Sequence, residues 1–148
     1  MLNFTFYNPT KIIFGSGRIK DIDKEISKES KIMITYGGGS VKRNGVLDEV
    51  KAALQGYDID EFAGIEPNPT YETLMQCVEK IRNKKTDFLL AVGGGSVIDG
   101  TKFIAAAVNY EGEPWNIVKS YGRGVRQALP FGTVLTLPAS GSEKIKLF

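Results

Sequence analysis

Asp87-Phe88-Leu89-Leu90-Ala91-Val92-Gly93-Gly94-Gly95-Ser96-Val97-Ile98-Asp99-Gly100-Thr101-Lys102 decides the fold. Its first part is a continuous apolar run without polar alternation, the pattern of a strand buried on both faces. Glycines end the run, and Val97 to Val108 continues as a helix. A buried strand passing through a tight bend into a helix is one step of an alternating β/α chain.

The same grammar recurs upstream. Lys31-Ile32-Met33-Ile34-Thr35-Tyr36 reads as a strand and ends in Gly37-Gly38-Gly39-Ser40. A helix is predicted around Val46, Leu47, Val50 and Leu54, with Gly56 as its C-terminal cap. Tyr57 to Phe62 is a further short strand. Gly64-Ile65-Glu66-Pro67-Asn68-Pro69 must be irregular, because two prolines bracket Asn68. Thr70 is placed to cap the next helix, with Glu72 in its first turn and Leu74, Val78 and Ile81 as its buried stripe. Cys77 beside that stripe reads as a small core residue rather than a reactive thiol.

At the N-terminal end, Phe4-Thr5-Phe6 and Ile12-Ile13-Phe14 read as a pair of strands around Asn8-Pro9-Thr10. Ile19, Ile22 and Ile26 recur at helical spacing and predict a surface helix from Gly17 to Ile26. Tyr110 to Gln127 reads as a loop with a helical turn near Trp115. A last strand, Phe131 to Leu137, leads into Pro138-Ala139-Ser140-Gly141-Ser142-Glu143. The fold class is therefore α/β, a Rossmann-like parallel sheet with helices on both faces, whose ligands bind at the C-terminal ends of strands. Residues 1–148 form one dinucleotide-binding domain in this reading.

Composition narrows the function. The chain has 148 residues, 42% hydrophobic and 24% charged, with 19 basic against 17 acidic side chains. A net charge of +2 is too even for a nucleic-acid footprint. No apolar run approaches the roughly 20 residues of a membrane span, and the first residues carry no signal-peptide pattern. A single cysteine fits a reducing, cytoplasmic setting. The chain contains no histidine, so imidazole cannot serve it as base, relay or metal ligand.

The glycine bends carry the chemistry. Glycines let a backbone approach an anion closely, and the helix start after Gly93-Gly94-Gly95-Ser96 offers N–H groups and a positive dipole end to a pyrophosphate. As a bare pattern this serves a phosphate site and a plain tight turn alike. The dinucleotide fingerprint G-x-G-x-x-G and the ATP-binding P-loop are both absent, which disfavours kinases and ATPases. At the first bend, no Asp or Glu stands where a ribose-binding acid is expected. Three glycines, Ser40, Lys42 and Arg43 stand there instead, which favours NADP(H) over NAD. Taken singly, Lys42 and Arg43 read as solvated loop cations. Lys102 reads either as reaching the site or as solvated.

The segment Val92 to Lys102 resembles the diagnostic motif of iron-containing alcohol dehydrogenases. Ile34-Thr35-Tyr36-Gly37-Gly38-Gly39-Ser40, the Gly64 to Thr70 run and Leu135 to Glu143 are similar, in the same order, to its NADPH-dependent butanol dehydrogenase and aldehyde reductase branch. The resemblance implies hydride transfer between NADP(H) and a small alcohol or aldehyde. It also implies a helical second domain with Fe²⁺ or Zn²⁺, whose ligands do not match any position here. Carried onto matching positions, Gly38 and Ser40 hold the adenosine side, and Asn68 lines the cleft. Gly94, Gly95 and Ser96 take the pyrophosphate, and Thr136 lies toward the nicotinamide. Asp99 contacts the cofactor or orients the glycine turn, or else is a first-turn carboxylate favoured by the helix dipole.

No catalytic residue and no metal ligand is expected within the chain. Its end, Lys144-Ile145-Lys146-Leu147-Phe148, departs from the family pattern, so the resemblance reads it as truncated and inactive alone in metal-dependent dehydrogenation. Self-association into a homo-oligomer is expected, partly through the N-terminal strands. The alternatives are a non-catalytic nucleotide-binding fragment, and a sister family on the same fold such as dehydroquinate synthase or a glycerol-type dehydrogenase.

Overall fold

In a computed structural model that describes residues 8–138 and 141–142, four strands form one parallel sheet. They are β1 (Lys31–Tyr36), β2 (Asp58–Phe62), β3 (Phe88–Gly93) and β4 (Phe131–Leu135), in the spatial order β2-β1-β3-β4. The central pair, β1 and β3, carries the apolar runs, because only central strands are covered on both faces.

Alternation sorts the side chains between two layers. Met33, Leu89 and Ala91 face a layer built from α3 (Tyr71–Lys84), α4 (Gly95–Ala107) and α5 (Trp115–Lys119). Ile32, Ile34, Tyr36, Leu90 and Val92 face the opposite layer. That layer holds a 3₁₀ helix (Arg18–Lys24), the short α1 (Ser40–Arg43) and α2 (Val46–Ala53). The α/β sandwich expected from the sequence is therefore present.

α4 is the central helix, with nine buried residues among its 13. A polar pin fixes it to the sheet. Thr101 Oγ1 donates to Val97 O at 2.7 Å, so its lone pair accepts the Thr35 hydroxyl, 2.6 Å away. Both threonines are fully buried. Cys77 is buried too, and desolvation pushes its thiol up to about 12, which suits a core residue.

Two readings need correction. Ile12-Ile13-Phe14 is not a strand; the segment is irregular and Phe14 is 95% exposed, since no described neighbour pairs with it. Phe4 to Phe6 lies outside the described residues. The Gly17 to Ile26 helix is a 3₁₀ turn ending at Lys24, and only Asp21 within it is buried. α1 went unforeseen: its four residues are too few to show a period.

Thr101→Val keeps the shape but strands the buried Thr35 hydroxyl. Urea denaturation should show a loss of about 1–3 kcal/mol. Adding Thr35→Val should recover part of it, because two apolar partners then meet. No loss in the single variant contradicts the pin.

Candidate functional site

The two glycine-serine bends are neighbours. Tyr36 pairs with Val92 across β1 and β3, so the chains leave the sheet side by side, one strand spacing or about 4.8 Å apart. Val97, in the first turn of α4, seats between them. A Cβ on Gly93 would lie 2.8 Å from Val97 Cγ2, and one on Gly37 would lie 3.6 Å from the same methyl and 3.0 Å from Ile65 O. Bare backbone at Gly93 is what lets α4 begin so close to the sheet, and bare backbone at Gly37 makes room for the Ile65 carbonyl.

α4 starts with Gly94 as its N-cap, in extended conformation and without any side-chain cap. The first-turn N–H groups therefore lack the intrahelical partners that later residues have. No acidic residue lies in that turn. Asp99 is the fifth helical residue, so it is not the first-turn carboxylate of the simpler reading. Nor does it hydrogen-bond the glycine turn: its Oδ1 is enclosed and without a partner. It opens instead onto an apolar cavity of about 280 Å³, walled by Pro69, Tyr71, Leu74, Phe103 and Trp115.

At the first bend Gly39 has φ 114°, a left-handed conformation that favours glycine, and caps α1. Gly38 and Ser40 are exposed. Lys42 lies over the Tyr36 ring, 5.1 Å from its centre, so it is neither loose nor distant. Thr136 donates its N–H to Gly93 O at 3.0 Å, which sets it beside the second bend at the tip of β4.

The Gly64 to Thr70 loop forms a third wall. Gly64 N–H donates to Gly37 O and Ile65 N–H to Tyr36 O, both at 3.2 Å, extending the β1–β2 edge past the strands. Asn68 follows at φ 54° and Thr70 caps α3, accepting from Thr73 N–H. Gly38, Ser40, Asn68, Gly94, Gly95, Ser96, Asp99 and Thr136 thus all lie at one end of the sheet, where the strands terminate. The Ser140 to Glu143 motif lies partly outside the described residues. Lys102 is not solvated: its ammonium donates to Ser142 O.

Two carboxylates escaped the sequence reading. Glu61 stands near the end of β2, beside the first bend, where a ribose-binding acid is expected in such sheets. The absence of an acid there, inferred from the bend alone, is therefore incomplete. However, Glu61 is engaged: it accepts Lys51 Nζ at 2.6 Å and the Tyr36 hydroxyl at 2.9 Å. The Lys51 hydrogen bond, foremost, lowers its pKa. Glu66 is the second. Its Oε1 accepts from Thr70 N–H, the Thr70 hydroxyl and the Thr73 hydroxyl at 3.1, 2.8 and 3.0 Å. Its own backbone N–H first, then Thr70, hold this carboxyl near about 2 against an ordinary 4.5.

Among the described residues no group of three His, Cys, Asp or Glu side chains could hold a metal ion. No helix among them is long and apolar enough to cross a membrane.

Both carboxyls are more acidic folded than unfolded. Their contribution is complete above the ordinary value of 4.5 and fades as pH falls below it, for Glu66 down to about 2. Urea midpoints should accordingly drop between these limits, and Glu66→Gln, which cannot titrate, should flatten that limb. An unchanged limb in the variant contradicts the assignment.

Comparison with known proteins agrees with this fold. The model of the iron-containing alcohol dehydrogenase family matches residues 9–147. The NADPH-dependent aldehyde reductase YqhD of Escherichia coli K12 is 57% identical over 145 residues, covering 97% of this chain and 38% of that protein. NADH-dependent butanol dehydrogenase A of Clostridium acetobutylicum is 45% identical, over 97% of this chain and 37% of its own length. A crystal structure of E. coli YqhD superposes with a TM-score of 0.94 at 56% identity, over 96% of this chain and 37% of that one. NADH-dependent butanol dehydrogenase A from Thermotoga maritima superposes with a TM-score of 0.87 at 42% identity, over 94% and 36%. The chain spans a little over a third of the length of these relatives. By motif, fold and similarity, the chain belongs to the iron-containing alcohol dehydrogenase family of oxidoreductases.

Proposed function

We propose that the chain binds NADP(H) across its two glycine-serine bends, as the coenzyme-holding part of an oxidoreductase that interconverts a primary alcohol and an aldehyde. One observation carries the reading: two glycine bends stand at adjacent parallel strand tips, with the uncapped start of α4 between them.

The residues fit the cofactor. The N–H groups of Gly94, Gly95 and Ser96 suit a pyrophosphate. Gly38 and Ser40 offer backbone and hydroxyl to the adenosine side, with Lys42 close by. Asn68 is exposed on the loop wall and Thr136 at the tip of β4, on the nicotinamide side. Asp99 lines the apolar cavity beside the cleft, with its enclosed Oδ1 unpartnered. When bound, the nicotinamide supplies or accepts hydride. The protein groups orient it and keep one wall of the site apolar.

Preference for the 2′-phosphate form is supported by cations at the first bend and by Lys51, which occupies Glu61 and so relieves its repulsion of a phosphate. The relatives divide on this point: the E. coli protein is named for NADPH and the clostridial one for NADH. With no histidine and no described metal cluster, we also propose that this chain alone binds coenzyme without turnover. Its setting is proposed to be cytoplasmic and its state a homo-oligomer, for which exposed Phe14 offers an apolar contact.

Isothermal titration should show NADPH binding at least about tenfold tighter than NADH, about 1.4 kcal/mol. Equal affinities contradict the reading of Ser40, Lys42 and Lys51; no heat with either contradicts the dinucleotide site itself. Butanal with NADPH should give no turnover by the same sample, and sustained oxidation of NADPH contradicts binding without catalysis.

A further inference from the structure

We propose that Glu66 is a positioning residue that fixes Asn68 in the cofactor cleft; this rests on the dinucleotide reading above. Asn68 occupies a left-handed conformation, φ 54°, between Pro67 and Pro69. A residue before proline is drawn to extended backbone, so its surroundings must impose this shape. The prolines cannot impose it through hydrogen bonds, since neither has an N–H. The Asn68 side chain has no protein partner among the described residues either.

Glu66 supplies the constraint. It lies two residues before Asn68, and its Oε1 collects three donors from beyond it, on Thr70 and Thr73. The side chain thus closes the arc that carries Asn68 at its apex. The arc is braced at its base as well. A Cβ on Gly100 would lie 3.3 Å from Ile65 Cγ2 and 3.5 Å from Pro69 Cγ, so both flanks lean on α4. Between those braces, the Glu66 carboxylate is what holds the loop closed. Oε2 is enclosed without a partner, so all the hydrogen bonding converges on one oxygen. The acceptor also sits at the N-terminus of α3, where the helix dipole favours negative charge.

A carboxylate that merely capped α3 would act on stability and leave the coenzyme unaffected through Asn68. A double-mutant cycle separates the two roles. Titrating NADPH into the 148-residue chain, Glu66→Ala and Asn68→Ala should each weaken binding by about tenfold, while the double variant should be no weaker than either alone, within roughly twofold. Glu66→Gln should restore affinity to within about threefold of the parent, because its amide oxygen can take the same donors. If Glu66→Ala does not fold by circular dichroism, Thr73→Val removes one donor and should weaken NADPH binding only when Asn68 is present.

Multiplying losses, of about a hundredfold in the double variant, overturn the proposal. So does undiminished binding in both Glu66→Ala and Thr73→Val. Absence of NADPH binding by the parent chain instead refutes the dinucleotide reading on which the proposal stands.

Discussion

The structure depends on the seat of Val97 between Gly37 and Gly93. A side chain at Gly93 would meet a Val97 methyl at 2.8 Å, closer than real Cβ contacts allow, so α4 would have to retreat from the sheet. With bare backbone there, the first turn of α4 lies against the tips of both central strands. The Thr35–Thr101 pin then fixes the helix one turn further on. In the proposed reading, this closeness makes two ordinary strand exits one shared edge for an anion.

Magnitude is the reason the proposed site uses both bends. A helix N-terminus alone stabilises an anion by about 0.3–1 kcal/mol at an exposed site, far short of useful affinity. Adjacent bends add several backbone donors and the Ser40 and Ser96 hydroxyls to the same edge. The parallel order β2-β1-β3-β4 makes that addition possible by setting the tips of β1 and β3 side by side. Flanking strands extend the edge in both directions, toward Glu61 and Lys51 on one side and Thr136 on the other.

Much of this was legible in the residues. β1 and β3 showed as unbroken apolar runs because they are covered on both faces, and Thr70 showed as a cap because its hydroxyl has few other uses before an apolar stripe. What escaped was whatever depends on neighbours. Ile12-Ile13-Phe14 is as apolar as a strand yet has no described strand to pair with. Glu61 drew no reading of its own within the short strand Asp58-Ile59-Asp60-Glu61-Phe62; only the pairing of β2 beside β1 brings it to the first bend. Glu66 was hidden because its role lies in three donors several residues ahead. Asp99 was misplaced by two residues, since the sequence does not say whether the helix begins at Gly95 or Val97. The eight residues assigned to the cofactor nevertheless share one end of the sheet, because motifs tied to strand termini inherit their place from topology.

The central claim is that both bends act on one ligand together. Amide proton–nitrogen NMR of the labelled chain during NADPH titration tests it directly. The account predicts that Gly38, Gly39 and Ser40 shift together with Gly94, Gly95 and Ser96, along curves that fit one dissociation constant. Shifts confined to one bend, or two bends titrating with different constants, would contradict it.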